Sequence, residues 1–102
     1  MRTTGDDRRG RKTGGCELCG RLVSLTFHHL IPRKVHRRPR FLRRHGKPEM
    51  LSRGLYLCRL CHGGIHDLIP DEAMLAEQFN TRELLLAHEG IARHVAWAAK
   101  QK

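Results

Sequence analysis

Aromatic side chains are scarce in this sequence. Phe27, Phe41, Tyr56, Phe79 and Trp97 make up 5% of its 102 residues, too few to dominate a core. Long hydrophobic runs are absent as well. The longest, such as Leu84–Ala87 and Val95–Ala99, fall far short of a membrane span or a signal-peptide core. The expectation is a cytoplasmic chain that stays off membranes and keeps its thiols reduced. Residues 1–15 hold no apolar side chain beyond Met1. They cannot bury enough surface to offset chain entropy and read as a flexible basic tail. Fewer than ninety residues remain for one domain, a size at which a core usually needs a staple.

Acid is missing where base is densest. Residues 1–66 carry sixteen Lys and Arg against four Asp and Glu, and residues 67–102 carry four against six, within a net charge of +10. The stretch 33–47 holds Arg33, Lys34, Arg37, Arg38, Arg40, Arg43, Arg44 and Lys47, with His36 and His45 among them and no acid at all. Such a run is often only a solvated face. Confined to one half of the chain, it reads as the footprint of a polyanion, with Arg and Lys on phosphates supplying affinity without sequence readout. The lack of aromatics leaves little surface on which unpaired bases could stack, so duplex or structured nucleic acid is favoured over single strands.

Cys16-Glu17-Leu18-Cys19-Gly20 reads as a tight turn, and Leu22–His28 as a strand rich in Val, Leu, Thr and Phe, ended by Pro32. Residues 33–53 form a long connection, a loop with a short helix near Phe41–His45. Gly54–Leu57 is a second short strand leading into Cys58, and a helix is expected from Cys61 to Ile69, stopping at Pro70. The rest reads as helical: Asp71–Phe79 with acids in its first turn, then a helix opened by an Asn80–Glu83 capping box and running to His88. Gly90 is expected to break it before a last helix faced by Ile91, Val95 and Ala98. No repeat and no second domain is evident.

Cys16-x-x-Cys19 and Cys58-x-x-Cys61 are two thiol pairs separated by residues 20–57. Each pair can grip two corners of a tetrahedron, and together they can close a structural Zn2+ site. Two disulfides are the alternative in an oxidising setting. A redox pair would be expected beside a parallel sheet, for which the sequence gives no pattern. Five of the eight histidines also fall at informative places. His62 and His66 are four apart, so on a helix they share a face and can converge on one ion. His28 and His29 close the first strand. If the cysteine pairs are tied together, that strand end lies opposite the helix, which suggests a second metal site. Strand neighbours point to opposite faces, so both histidines can turn to the helix only if the strand bends.

The order Cys16-x-x-Cys19, Phe27-His28-His29-Leu30-Ile31-Pro32 and Leu57-Cys58-Arg59-Leu60-Cys61-His62-Gly63-Gly64-Ile65-His66 resembles the HNH endonuclease family. The whole chain is also similar to small stand-alone bacterial HNH proteins. The resemblance implies an α+β fold with a ββα-metal core over residues 16–70, stapled by the four-cysteine zinc, and a C-terminal helical extension over 71–102 packed on it. By the same resemblance His29 is the general base, and His28, His62 and His66 hold one catalytic divalent ion. All-histidine ligands favour Mn2+, Ni2+, Co2+ or Zn2+ over Mg2+. The implied activity is hydrolysis of phosphodiester bonds in nucleic acid, double-stranded DNA before RNA, and the basic stretch supplies Arg33, Lys34, His36, Arg37, Arg38, Arg40, Arg43 and Arg44 as the expected substrate contacts. One position departs from the pattern: Arg53 stands where the family usually has the Asn that braces the loop beside the base histidine. A zinc-dependent module that binds nucleic acid without cutting it is therefore the alternative, and a metal-sensing or protein-interaction domain is a second.

Overall fold

A computed structural model describes residues 12–102, and the segment 1–11 of the expected tail lies outside them. The fold is α+β. Three antiparallel strands, β1 (Lys12–Gly15), β2 (Leu22–His29) and β3 (Gly54–Cys58), lie in the order β1-β2-β3. β1 pairs with the start of β2, Lys12 opposite Leu25 and Gly15 opposite Leu22. β3 pairs with its end, so that Cys58 faces Leu25 and Gly54 faces His29. Residues 12–15, expected within the tail, are thus a strand. Lys12–Gly15 has no apolar side chain to mark it as a strand, and the free edge of β2 orders it.

The basic connection is more built than expected. After a single 3-10 turn at Arg33–Val35 come α1 (Pro39–His45) and α2 (Lys47–Ser52), where a loop with one short helix was expected. Pro39 and Pro48 sit in the first turns of these helices, where a missing N–H costs nothing and a fixed φ helps. Beneath the arginines, Val35, Phe41 and Met50 join Ile31 and Ala76 in a small core of their own. This apolar underside holds a positive layer in place.

α3 (Arg59–Leu68) follows β3 without a loop, starting two residues earlier than expected because Cys58 caps it, its sulfur accepting the Cys61 N–H at 3.4 Å. α3 packs on β2, β3 and α6 (Glu89–Ala98). The main core gathers Leu25, Leu55, Leu57, Cys58, Cys61 and Ile65 with Leu75 of α4 (Glu72–Gln78), Leu85 of α5 (Arg82–Ala87), and Ile91, Val95 and Ala98 of α6. Two expected boundaries moved. Thr81, not Asn80, caps α5, accepting the Leu84 N–H at 3.0 Å, while Asn80 Nδ2 donates to the Ala76 carbonyl at 2.9 Å and finishes α4. The break falls at His88 instead of Gly90, because the His88 ring accepts the Ile91 N–H at 3.1 Å and caps α6 itself. Among the described residues no helix is long and apolar enough to cross a membrane.

α3 and α6 meet at Gly64. A Cβ there would run into the His94 ring, whose Nε2 donates to the Leu60 carbonyl at 2.7 Å. Gly64→Ala should force that ring out and cost about 1–3 kcal/mol, the usual range for overpacking. Urea denaturation would read the loss; an unchanged midpoint would show that the α3–α6 contact yields without cost.

Candidate metal centre

The β1–β2 connection carries Cys16 and Cys19, and the β3–α3 junction carries Cys58 and Cys61. Their four sulfurs lie within 4.8 Å of one another, three of the residues buried and Cys19 half-buried, with the Cys19 and Cys58 sulfurs 3.7 Å apart. The first turn closes through Gly20 N–H on the Cys16 carbonyl at 2.9 Å, and Gly20 takes the positive φ of 85° that this turn requires. The sulfurs also accept backbone hydrogens, Cys19 N–H on Cys16 at 3.5 Å and Cys61 N–H on Cys58. Packed this closely, four sulfurs cannot all be ionised without a cation among them. A hydrogen bond from Cys61 pulls Cys16 down to about 3, and the same pairing pushes Cys61 up. Burial raises Cys19. A soft dication that charges all four relieves the conflict, and the donor set suits zinc. Arg21, which the sequence did not single out, makes side-chain hydrogen bonds to Cys58 and Cys19 that hold it charged.

The second cluster is built of histidines. His28 on β2 and His62 and His66 on α3 bring ring nitrogens within 4.8 Å of one another. Their ring centroids are 5.1, 5.4 and 5.2 Å apart in the pairs 28–62, 28–66 and 62–66. His28 is 1% exposed, and neither ring nitrogen has a hydrogen-bond partner among the described residues. Burial and then the neighbouring histidines hold His28 down at about 3, and burial followed by His66 lowers His62. Neutral imidazoles with lone pairs to give are what a metal ion takes up. Thr26, unnoticed in the sequence, orients one of them. Its hydroxyl donates to the Leu57 carbonyl at 3.5 Å and lies 2.7 Å from His62 Nδ1. The ring proton then belongs on Nδ1, and Nε2 is left for a ligand.

His29 is not part of that trio. Its half-buried ring packs edge-on against Phe27 at 4.9 Å and lies 6.0 Å from the His36 ring. It reaches the rim of a cleft of about 290 Å³ that His62, His66, Arg33, Lys34 and Glu72 also line. Glu72 is the residue the sequence reading passed over here. Its Oε1 is buried with no hydrogen-bond partner among the described residues, but at the start of α4 it looked like an acid favouring a helix N-terminus.

The basic residues divide. Arg33, Lys34, Arg37 and Lys47 converge on a larger cleft of about 740 Å³. Arg38, Arg43 and Arg44 are exposed outside its lining. Arg40 reaches Glu77 of α4 at 3.4 Å and lies 4.9 Å over the Phe41 ring. His36 lines the larger cleft as well, from within the fold. It is 6% exposed and its Nε2 donates to the Ile31 carbonyl at 2.6 Å, pinning the chain two residues beyond His29. The Arg53 carbonyl accepts the Leu30 N–H at 3.1 Å on the other side, while the Arg53 side chain turns to Glu49 at 2.8 Å and the Asn80 carbonyl at 3.2 Å.

Stripping zinc from the cysteines should unfold the domain, since a core this small depends on its staple. Circular dichroism during chelation would follow it, and a chelated protein that keeps its melting transition would refute it. Arg21→Ala should retain the fold yet weaken zinc by about 10–100-fold in chelator competition, as loss of an outer partner usually does. Compared with known proteins, the chain has no significant match to a family model, to a curated protein or to a solved structure.

Proposed function

We propose that this chain is an HNH-type, metal-dependent endonuclease that hydrolyses phosphodiester bonds in nucleic acid, double-stranded DNA before RNA. The observation that carries the reading is His28: a buried imidazole with neither nitrogen hydrogen-bonded among the described residues, set against His62 and His66, which line a cleft with His29, Arg33 and Lys34. An unsatisfied buried polar group costs stability unless a ligand completes it. The antiparallel β2–β3 pair running straight into α3 also fits the ββα-metal arrangement that the sequence resemblance implied.

His28, His62 and His66 would hold the ion. When bound, a divalent ion supplies positive charge against the charge that builds on the phosphate oxygens and the leaving oxygen. His29, outside the ligand set and at the rim, takes the proton from the attacking water. His36 and the Arg53 carbonyl keep the chain beyond His29 in register, so the brace that the family's Asn provides has a substitute here. Arg33, Lys34 and Arg37 bind the phosphates beside the scissile one, without reading bases.

The second reading is a binding module that does not cut. Arg53 favours it, because its side chain is committed to Glu49 and Asn80 and its carbonyl to the Leu30 N–H. Plasmid cleavage across a panel of divalent ions separates the two. His29→Ala should leave zinc content and DNA binding intact and cut the rate roughly a hundredfold or more, the usual worth of a general base. His62→Ala should lower affinity for the second ion, with activity partly regained at high metal. Cleavage by His29→Ala at the wild-type rate would reject the role of His29, and a wild type inert with every ion would favour the binding module. Neutralising Arg33, Lys34 and Arg37 together should weaken binding to all sequences alike and flatten the dependence of log K on log salt by about two to three. A loss confined to one sequence would overturn the phosphate-clamp reading.

A further inference from the structure

Gly63 and Gly64 sit side by side inside α3 and have opposite surroundings. At Gly64 a Cβ would strike His94, so packing demands a glycine. At Gly63 a Cβ would meet nothing within 4 Å among the described residues, and the residue is exposed. Glycine within a helix is destabilising relative to alanine, and no neighbour among the described residues requires it at 63. The remaining physical use of a missing side chain is to let something outside the fold come close to the backbone.

Gly63 lies in a cleft of about 530 Å³, within the size range of small-ligand sites. That cleft meets the His29 cleft at His62 and His66, which line both. From there it runs back along β2 past Thr26 to Ser24 and to Arg59 at the start of α3. On the other side, the His29 cleft meets the basic cleft at Arg33 and Lys34, which again line both. The three clefts therefore follow one another, with the histidine cluster at the middle and cationic residues at both ends. Among the described residues the Gly63 cleft is lined by one arginine, two hydroxyls and no carboxylate.

We propose that the cleft over Gly63 is a docking subsite for the sugar–phosphate backbone of a nucleic-acid strand, with Arg59 as its phosphate contact and the bare helix surface at Gly63 as its floor. The proposal deepens the nuclease reading and rests on it: the strand enters along Arg33 and Lys34, crosses the histidines and leaves over Gly63. The occupant follows from charge and continuity, since a polyanion held at the basic end has a positive, acid-free groove waiting beyond the cluster. The exposed Ser24 hydroxyl suits a sugar or phosphate oxygen.

Gly63→Leu fills the floor with a good helix former, and Arg59→Ala removes the charge. Each variant is checked for zinc content and melting temperature, then titrated with a short fluorescent duplex by anisotropy in the uncutting His29→Ala background, and separately assayed for plasmid cleavage. Both variants should fold with full zinc. Gly63→Leu should bind at least about tenfold more weakly, some 1.4 kcal/mol. Arg59→Ala should also weaken binding and lower the salt slope by about one. Folded variants that bind the duplex like their parent overturn the subsite, even if the wild type cleaves well. If the parent binds duplex but the wild type cleaves with no ion, the hydrolytic reading falls and the anisotropy result still decides the subsite. If the parent binds no nucleic acid, both fall.

Discussion

The cysteine cluster is the constraint on which the other elements depend. A domain with five aromatic residues has little apolar surface with which to fix the angle between a short sheet and a helix. Four sulfurs within 4.8 Å fix it by chemistry instead, because two belong to the turn before β2 and two straddle the point where β3 becomes α3. Cys58 is at once the last residue of β3, a member of the cluster and the cap of α3. Once its sulfur is committed, the helix has neither sliding nor rotational freedom at its start. His62 and His66, one and five residues past Cys61, must then emerge over β2. The histidine cluster is thus a geometric consequence of the cysteine cluster.

The remaining elements keep that geometry from relaxing. α6 crosses α3 where Gly64 lets the His94 ring reach the Leu60 carbonyl, which clamps the helix on the side away from the sheet. α4 contributes Ala76 to the small core under the arginine-rich layer and Glu72 to the cleft beside the histidines. The small core explains how so much like charge stays ordered. Repulsion among Arg33, Lys34 and Arg37 opposes their convergence, and the burial of Phe41, Met50 and Val35 beneath them offsets it. A full burial of each such side chain is worth about 1.5–3 kcal/mol, more than screened surface charges cost one another.

What was legible in the sequence is what has a local signature. Thiol pairs at fixed spacing, a Val- and Leu-rich strand, a helix with histidines four apart and prolines at boundaries each declare themselves within a few residues. What was hidden depends on contacts between distant segments. Lys12–Gly15 is a strand only because β2 offers it an edge. α2 depends on Met50 finding Phe41. The caps at Thr81 and His88 displaced Asn80 and Gly90 because the competing side chains were better placed, not because the turn chemistry was unreadable. Thr26, Arg21 and Glu72 carry no motif, and their parts come from standing beside His62, the sulfurs and the cleft. The bond His36 makes was hidden for the same reason: among eight arginines and lysines it looked like one more cation of the basic stretch, whereas the fold holds it against Ile31 within the lining of the basic cleft.

The pair His28-His29 shows how two identical side chains acquire unlike environments from strand geometry alone. Alternation along β2 sends neighbours to opposite faces, so only one can join His62 and His66 under the helix. That one is His28, and with 1% exposure and no hydrogen-bond partner among the described residues it is held neutral at about 3, far from any use as a proton acceptor near neutrality. Such a ring can give a lone pair to an ion and do little else. His29, on the face of Phe27 and near His36, keeps access to the cleft, and proton transfer requires that access. Within the proposed hydrolysis, ligand and base therefore need no difference in residue type. Reversing them would need a shift of one residue in the pairing with β3, and that would carry Cys58 out of register with Leu25 and pull apart the sulfur cluster that places the helix.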